Sequence, residues 1–297
     1  KNKILVTDII AAFTILFLGL YFSINSENIL SNGWDIDAPL IPTFFSFLLI
    51  ILSLESLRRT GGKFIFYIAI FFTTYPIFAD MMPGALWGNV YSISEAARAH
   101  SMGLESLIGI PMKVAGSLLI GFLIYGIILA ETGGGKFFID IAESIMGKYR
   151  GGPAKVAILA SGFFGMLSGS PTSNVITSGS LTIPAMKKAG YSARYAAAIE
   201  ACASTGGVLM PPVMGTVAFI MASFLNLPYS EILLAALIPG LIFYIALIIQ
   251  TDLYAAKNNL KGMELNKIPK IFPTIINGFP YIFSFISLIW LIISAKL

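Results

Sequence analysis

Long apolar runs alternate with short polar joints along this chain. The runs Asp8–Ile24, Pro39–Leu57, Phe64–Phe78, Pro111–Ala130, Ser230–Gln250 and Ile271–Ser294 are continuous in their hydrophobicity. Barrel strands would show short alternating segments instead, so the runs predict helices. A hydrocarbon core of about 30 Å takes about 20 helical residues, and most of the runs predict membrane spans. The stretch "GGGKFFIDIAESIMGKYRGG" breaks the pattern. Phe137, Phe138, Ile141, Ile145 and Met146 share one helical face, with Asp140, Glu143 and Lys148 elsewhere. That face suits a helix lying along the membrane surface, or equally a short connecting helix packed on protein.

Between Pro153 and Leu227 the apolar pattern is interrupted twice, by "SGSPTSNV" and "TGGVLMPP". The arm Pro153–Leu167 reaches only about 22 Å as a helix, and Asn174–Lys187 is about as long. Two short arms around a polar tip, Ser168–Ser173, predict a helical hairpin that enters the membrane and returns. Bare polar backbone at membrane depth is tolerated only where protein buries it or water abuts it. A proline kink satisfied by neighbouring helices is the plainer alternative. The second interruption predicts a half-helix over Tyr195–Ser204, a break over Thr205–Pro212, and a resumed helix over Val213–Leu225. Gly206 and Gly207 are expected to free the backbone, and Pro211–Pro212 removes two N–H donors. Carbonyls there are expected to lose intrahelical partners. Two broken elements close together point to a transporter's binding site.

Composition agrees with the pattern. Of 297 residues, 57% are hydrophobic and 11% charged, against about 25% charged in soluble domains. The fold class is therefore an all-α integral membrane protein. One cysteine and one histidine allow no internal disulfide and no Cys/His metal cluster. The chain opens on lysine, so the native start is expected upstream. The first run lacks a small-residue cleavage site and is read as a retained span.

Placement of the basic residues matters more than the net charge of +4. With a cytoplasmic N-terminus and a returning Pro153–Lys188 hairpin, every basic residue falls in a cytoplasmic segment except Arg98, Lys113 and Lys296. This set includes Lys1, Lys3, Arg58, Arg59, Lys63, Lys136, Lys148, Arg150 and Lys155. A single crossing would turn Lys187, Lys188, Arg194 and the loop "YAAKNNLKGMELNKIPK" outward. The positive-inside rule thus favours the re-entrant hairpin.

The breaks offer neutral oxygens from Ser168, Ser170, Thr172, Ser173, Thr177 and Thr205, with main-chain carbonyls. No carboxylate lies in either break, which suits Na⁺ better than a divalent cation. The candidate ion-binding set is Ser168, Gly169, Ser170, Thr205, Gly206, Gly207 and Pro211. Thr172, Ser173 and Asn174 are candidates for substrate contact, since Asn174 can donate as well as accept. Glu200 is a candidate proton carrier, or the partner of Arg194 or Lys155. Cys202 reads as packing, and His100 as a solvated or interfacial residue. Asp80, Glu95 and Glu105 read as a docking surface or as solvated loop charges. No nucleophile–base pair or metal cluster converges, so an enzyme is not expected.

The run "GGPAKVAILASGFFGMLSGSPTSNVITSGSLTIPAMKKAGYSARYAAAIEACASTGGVLMPPVMGTVAFIMASFLNLPYSEILLAALIPG" closely resembles the large membrane subunit of tripartite ATP-independent periplasmic (TRAP) transporters. It looks most like the fused permeases that work with TAXI-type extracytoplasmic binding proteins. The likeness is strong from about Gly134 to Asp252, while Asp8–Asp80 resembles the small-subunit-like region of such fusions. The resemblance implies an elevator-type secondary transporter in the cell inner membrane. A TAXI-type substrate-binding protein would deliver an organic anion such as a carboxylate, and Na⁺, or H⁺ in the TAXI branch, would drive uptake. No other cofactor and no nucleic acid is implied. On this reading residues 1–110 are a small-subunit-like scaffold, and 111–152 a scaffold span with the amphipathic helix. Residues 153–227 are the transport-domain hairpin and interrupted helix, and 228–297 the following spans. The family carries two inverted repeats and this chain shows one set. The second repeat is therefore expected on another chain, or the chain is a truncated product that does not transport. A subunit of another re-entrant-hairpin carboxylate/cation symporter family is the remaining alternative.

Overall fold

The computed structural model describes residues 6–294, and among these residues it holds fourteen α-helices and no strand. Lys1, Lys3 and Lys296 of the charge count lie outside the described residues. Four helical stretches are long and apolar enough to cross a membrane: Val6–Ile24, Leu40–Ile77, Ile110–Met146 and Tyr229–Lys257. A bent pair, Leu265–Asn277 with Phe279–Ser294, makes a fifth if counted as one span. The chain divides into two compact units, Lys1–Lys113 and Val114–Leu297.

In the first unit, α1 (Val6–Ile24) is followed by the short α2 (Ser26–Ser31) and by α3 (Leu40–Thr74). Helix α1 and the first arm of α3 run antiparallel. Asp8 pairs with Arg59 at 2.5 Å near one end, and Tyr21 packs on Phe45, ring centres 4.6 Å apart, near the other. Leu18, Phe22, Ile29 and Met102 form the buried core of this unit. The two runs expected on either side of Arg58–Lys63 are the two arms of α3, which meet where Gly62 leaves helical geometry (φ 80°, ψ 174°) and the chain changes direction. Only glycine adopts that backbone readily. Leu54 and Ala69 would lie about 22 Å apart on a straight helix, yet they line one cavity.

Helix α4 (Ile93–Met102) opens with a capping box between Ser92 and Glu95. Its Arg98 is buried and donates to the Ile36 carbonyl at 2.7 and 3.2 Å. Glu95, read as a docking-surface or solvated charge, thus caps its own helix, and Arg98 ties that helix to residue 36. The Glu95 carboxyl is held below its usual range by its hydrogen bonds to Ser92. His100 is half-buried, and its Nε2 is enclosed without a hydrogen-bond partner.

The second unit begins within a continuous helical run. Helix α5 (Ile110–Val114) passes through a widened turn at 115–119 into α6 (Ile120–Leu129), and a second wide turn ends at Gly133 (φ 102°). There the chain bends into α7 (Gly135–Met146). The amphipathic stretch packs on protein: Phe137 and Phe138 are buried in a cluster with Leu129 and Leu167. The bend is clamped by Tyr281, whose hydroxyl donates to the Thr132 carbonyl at 2.6 Å.

Four helices then carry the two interruptions: α8 (Gly152–Ser168), α9 (Pro171–Lys188), α10 (Ala193–Gly207) and α11 (Thr216–Leu225). Helix α12 (Tyr229–Lys257) follows. Along it, Leu234, Ile238, Ile242, Ile245 and Ile249 form an exposed stripe at helical spacing, the face expected against lipid. The run predicted over Ile271–Ser294 is two helices, α13 (Ile271–Asn277) and α14 (Phe279–Ser294). Pro280 cannot donate back into the preceding turn, and Gly278 lies against the Phe137 ring, where a side chain would collide.

Candidate functional site

Helices α8 and α9 form the predicted hairpin, with a tighter tip than the sequence implied. Only Gly169 and Ser170 leave helical geometry, and α9 restarts at Pro171. The reason is local. Gly169 takes a left-handed conformation (φ 57°) that ends α8. The Ser170 hydroxyl then accepts from the Ser173 N–H at 3.4 Å, and Pro171 stands where a missing N–H costs nothing. Across the hairpin the Ser161 and Ser178 hydroxyls meet at 3.0 Å. The Asn174 amide donates to the Ser161 carbonyl at 2.7 Å.

The second interruption lies later than predicted. Helix α10 continues through Thr205, Gly206 and Gly207, and the non-helical stretch is 208–215, with a cis bond between Pro211 and Pro212. The two glycines serve close packing rather than unwinding. The backbone of Gly207 abuts that of Gly165 in α8, and Gly206 faces the rings of Phe243 and Tyr244. The carbonyls expected to be stranded are largely satisfied. Val208, Leu209 and Met210 donate back to the Thr205, Gly206 and Gly207 carbonyls, and Gly215 donates to Val208. Tyr229 donates to the Pro212 and Val213 carbonyls at 2.8 and 2.6 Å, and Tyr244 to the Ala203 carbonyl at 2.7 Å.

The two interruptions touch. A side chain at Gly169 would collide with the Met214 carbonyl. The Val213 N–H donates to the Met166 carbonyl at 3.2 Å, so the break is hydrogen-bonded to the last turn of α8. Behind this contact lies Glu200, fully buried. Its carboxylate accepts from Ser161 and Ser178 at Oε1 and from Thr182 at Oε2, each at 2.5 Å. Ser204 lies 3.4 Å from Oε1. Residues from α8, α9 and α10 therefore converge on one acid.

Comparison with known proteins bears on this arrangement. The family model "Tripartite ATP-independent periplasmic transporter, DctM component" matches residues 48–296. The chain belongs to the DctM family. The C4-dicarboxylate TRAP transporter large permease protein DctM of Vibrio cholerae is 35% identical over 144 residues, 48% of this chain and 31% of that protein. The isethionate TRAP transporter permease protein DctMQ of Oleidesulfovibrio alaskensis is 30% identical over 151 residues, 51% of this chain and 24% of that protein. The ectoine/5-hydroxyectoine TRAP transporter large permease protein UehC of Ruegeria pomeroyi is 27% identical over 199 residues, 66% of this chain and 45% of that protein. The chain thus spans less than half the length of these relatives. The family is one of membrane transporter permeases.

In this DctM-family chain the predicted site residues fall into three groups. Ser168, Gly169, Ser170 and Pro211 sit at the tip or in the break, and Gly169 faces the Met214–Gly215 backbone. Thr172, Ser173 and Thr205 are exposed, with the Thr205 hydroxyl donating to the Ala201 carbonyl of its own helix. Gly206, Gly207, Asn174 and Glu200 are buried. Asn174 is 1% exposed and bonded to Ser161 and Ser178, so it braces the hairpin from within rather than meeting solvent.

Glu200 pairs with neither Arg194 nor Lys155. Lys155 instead meets Asp252 of α12 at 2.6 Å, and Arg150 joins the same carboxylate. That carboxylate raises the Arg150 pKa. Cys202, read as packing, is exposed on α10. Tyr229, Tyr244 and Asp252 were missed because their partners are distant in sequence. The only local signal was a polar group within an otherwise apolar helix.

Proposed function

We propose that this chain is part of the membrane permease of a binding-protein-dependent, ATP-independent secondary transporter that takes up an organic anion such as a carboxylate. The observation that carries the reading is the contact between the hairpin tip at Gly169 and the break at Met214, in a chain of the DctM family. The hairpin is re-entrant, and with the interrupted helix it forms one half of an elevator-type transport domain. C4-dicarboxylates and isethionate, named for two relatives, are organic anions. A second repeat completes the site. A TAXI-type extracytoplasmic binding protein delivers the substrate, and the chain lies in the cell inner membrane with its N-terminus in the cytoplasm.

Each part of the site has a role on this reading. The first turn of α9 presents the exposed Thr172 and Ser173 at the positive end of a helix, where an anionic group is favoured. Ser168, Gly169, Ser170 and Pro211 frame the coupling cation, with Thr205 and the Gly206–Gly207 backbone beside the break. Na⁺ suits these neutral oxygens. The test is uptake of a binding-protein-loaded substrate by the complete permease in vesicles. Ser170→Ala or Thr205→Ala is expected to raise the Na⁺ concentration needed for half-maximal uptake. Unchanged Na⁺ dependence in both variants rejects the cation site.

Proton coupling through Glu200 is the second reading, favoured by a buried carboxylate whose partners are hydroxyls alone. An ion taken out of water without a counter-charge is costly, so a carried proton or cation would relieve it. Glu200→Gln is expected to abolish uptake driven by a pH gradient while sparing substrate binding. Wild-type pH-driven uptake in that variant ends the idea.

A further inference from the structure

The first unit contains a cavity of about 730 Å³ between α1, α3 and residues 102–113. Its walls include Gly19, Leu49 and Leu52, with Ser56, Thr60 and Lys113 as polar members, and no carboxylate lines it. We propose that this groove holds one acyl chain of an anionic phospholipid, with the phosphate at the Thr60 end.

Chemistry, length and charge each support that occupant. The lining is mainly aliphatic, with its polar groups a few hydroxyls and Lys113, so it suits a molecule that is mostly hydrocarbon with an anionic head. An apolar cavity of even about 150 Å³ stays dry and takes up apolar molecules. The outer face of α1 is covered with exposed Phe13, Leu16 and Phe17, so hydrocarbon surrounds this unit in a bilayer. Along α3 the wall runs from Leu49 to Thr60, about 16 Å of helix. That is one leaflet of a core about 30 Å thick. The two ends differ in charge. Beside Thr60 stand Arg58, Arg59 and Lys63 against Asp8 and Glu55, leaving an excess cation. The other end, at Ser23 and Ser26, has the acidic Glu27 beside it. The cluster of bases favours a phosphate at the first end.

Gly19 gives a direct test. Gly19 lines the groove and a Cβ built there meets nothing within 4 Å, so Gly19→Phe is the variant chosen to fill it. The full chain, extracted from membranes, is examined by native mass spectrometry with phosphatidylglycerol or phosphatidylcholine as the probe. Wild type is expected to retain one phospholipid and to favour phosphatidylglycerol about fivefold. Gly19→Phe should lose the lipid, and Lys63→Glu should keep a lipid but lose the preference. Phosphatidylglycerol should raise the melting temperature of wild type and leave that of Gly19→Phe unchanged, which separates a filled groove from a misfolded chain. Equal retention by wild type and Gly19→Phe overturns the proposal, as does equal retention of the two lipids by wild type. A change in oligomeric state with unchanged lipid content would assign the groove to a second copy and overturn it too.

Discussion

The backbone of Gly165 in α8 lies directly against the backbone of Gly207 in α10, with no side chain between them. This contact sets the distance between the hairpin and the helix that leads into the break. It also explains why glycine stands at both positions, although neither has the positive φ that demands one.

Gly207→Ala is therefore expected to destabilise the chain by about 1–3 kcal/mol through overpacking. The neighbouring backbone, unlike a flexible side chain, cannot rotate away. Thermal unfolding in detergent measures the loss. Gly116→Ala, where an added Cβ meets nothing, is the control and should not lower the melting temperature.

Tyr229→Phe tests how the break is held. The hydroxyl shares its one proton between two carbonyls in a fully enclosed position, since Tyr229 is 1% exposed. Its removal leaves those acceptors without a donor, at a cost of about 1–3 kcal/mol. The ring remains, with its stacking on Phe219. Amide exchange should rise at 208–215 before it rises in α8. Uniform exchange across both segments would show that the tyrosine does not hold the break.

Periodicity carried much of the fold, because a continuous apolar run and a proline each act locally. The hairpin tip was legible in "SGSPTS" for the same reason: Gly169, Ser170 and Pro171 end one helix and start the next using neighbouring residues alone. The second break was placed too early because Gly206 and Gly207 carry two possible meanings. One is local unwinding and the other is close approach, and only the partner at Gly165 separates them. The surroundings of Glu200 were hidden likewise, since Ser161, Ser178 and Thr182 reach it from two other helices. The joint within α3, like the hairpin tip, was legible, since Gly62 leaves helical geometry inside the polar run Arg58–Lys63.

Gly62→Ala should cost about 1–3 kcal/mol, the strain of holding a Cβ in a region reserved for glycine. Gly61→Ala is the contrast. Its nearest obstacle is the Leu57 Cδ1 at 3.3 Å, the end of a flexible side chain, and its backbone has no positive φ. Gly61→Ala should therefore unfold within a few degrees of wild type, and Gly62→Ala clearly lower. Equal melting temperatures would show that the bend at Gly62 is not fixed.

Asp252 bridges Arg150 and Lys155, and the two cations differ in burial: the Lys155 side chain is 9% exposed and that of Arg150 is 51%. Asp252→Asn leaves the enclosed ammonium without its counter-charge, so it should destabilise more than Lys155→Met, which removes the buried charge with its stem volume kept. Arg150→Gln, at the exposed end, should be nearly neutral. The order of melting temperatures is the measurement. A larger loss from Arg150→Gln than from Asp252→Asn would contradict it.

The hydroxyls around Glu200 have alternatives that the carboxylate lacks. Ser178 also reaches the Asn174 carbonyl at 2.8 Å, and Thr182 the Ser178 carbonyl at 3.1 Å. Removing the acid therefore strands no hydroxyl, while removing a hydroxyl exposes the acid's desolvation cost. Glu200→Gln is expected to change stability by less than about 1 kcal/mol, and Thr182→Val to lower it by about 1–3 kcal/mol. Ser204→Ala, whose oxygen lies 3.4 Å from the carboxylate, should fall nearer the first value. Unfolding of the three variants side by side decides the matter. A Glu200→Gln variant less stable than Thr182→Val would mean that the carboxylate holds the three helices together, rather than being held by them.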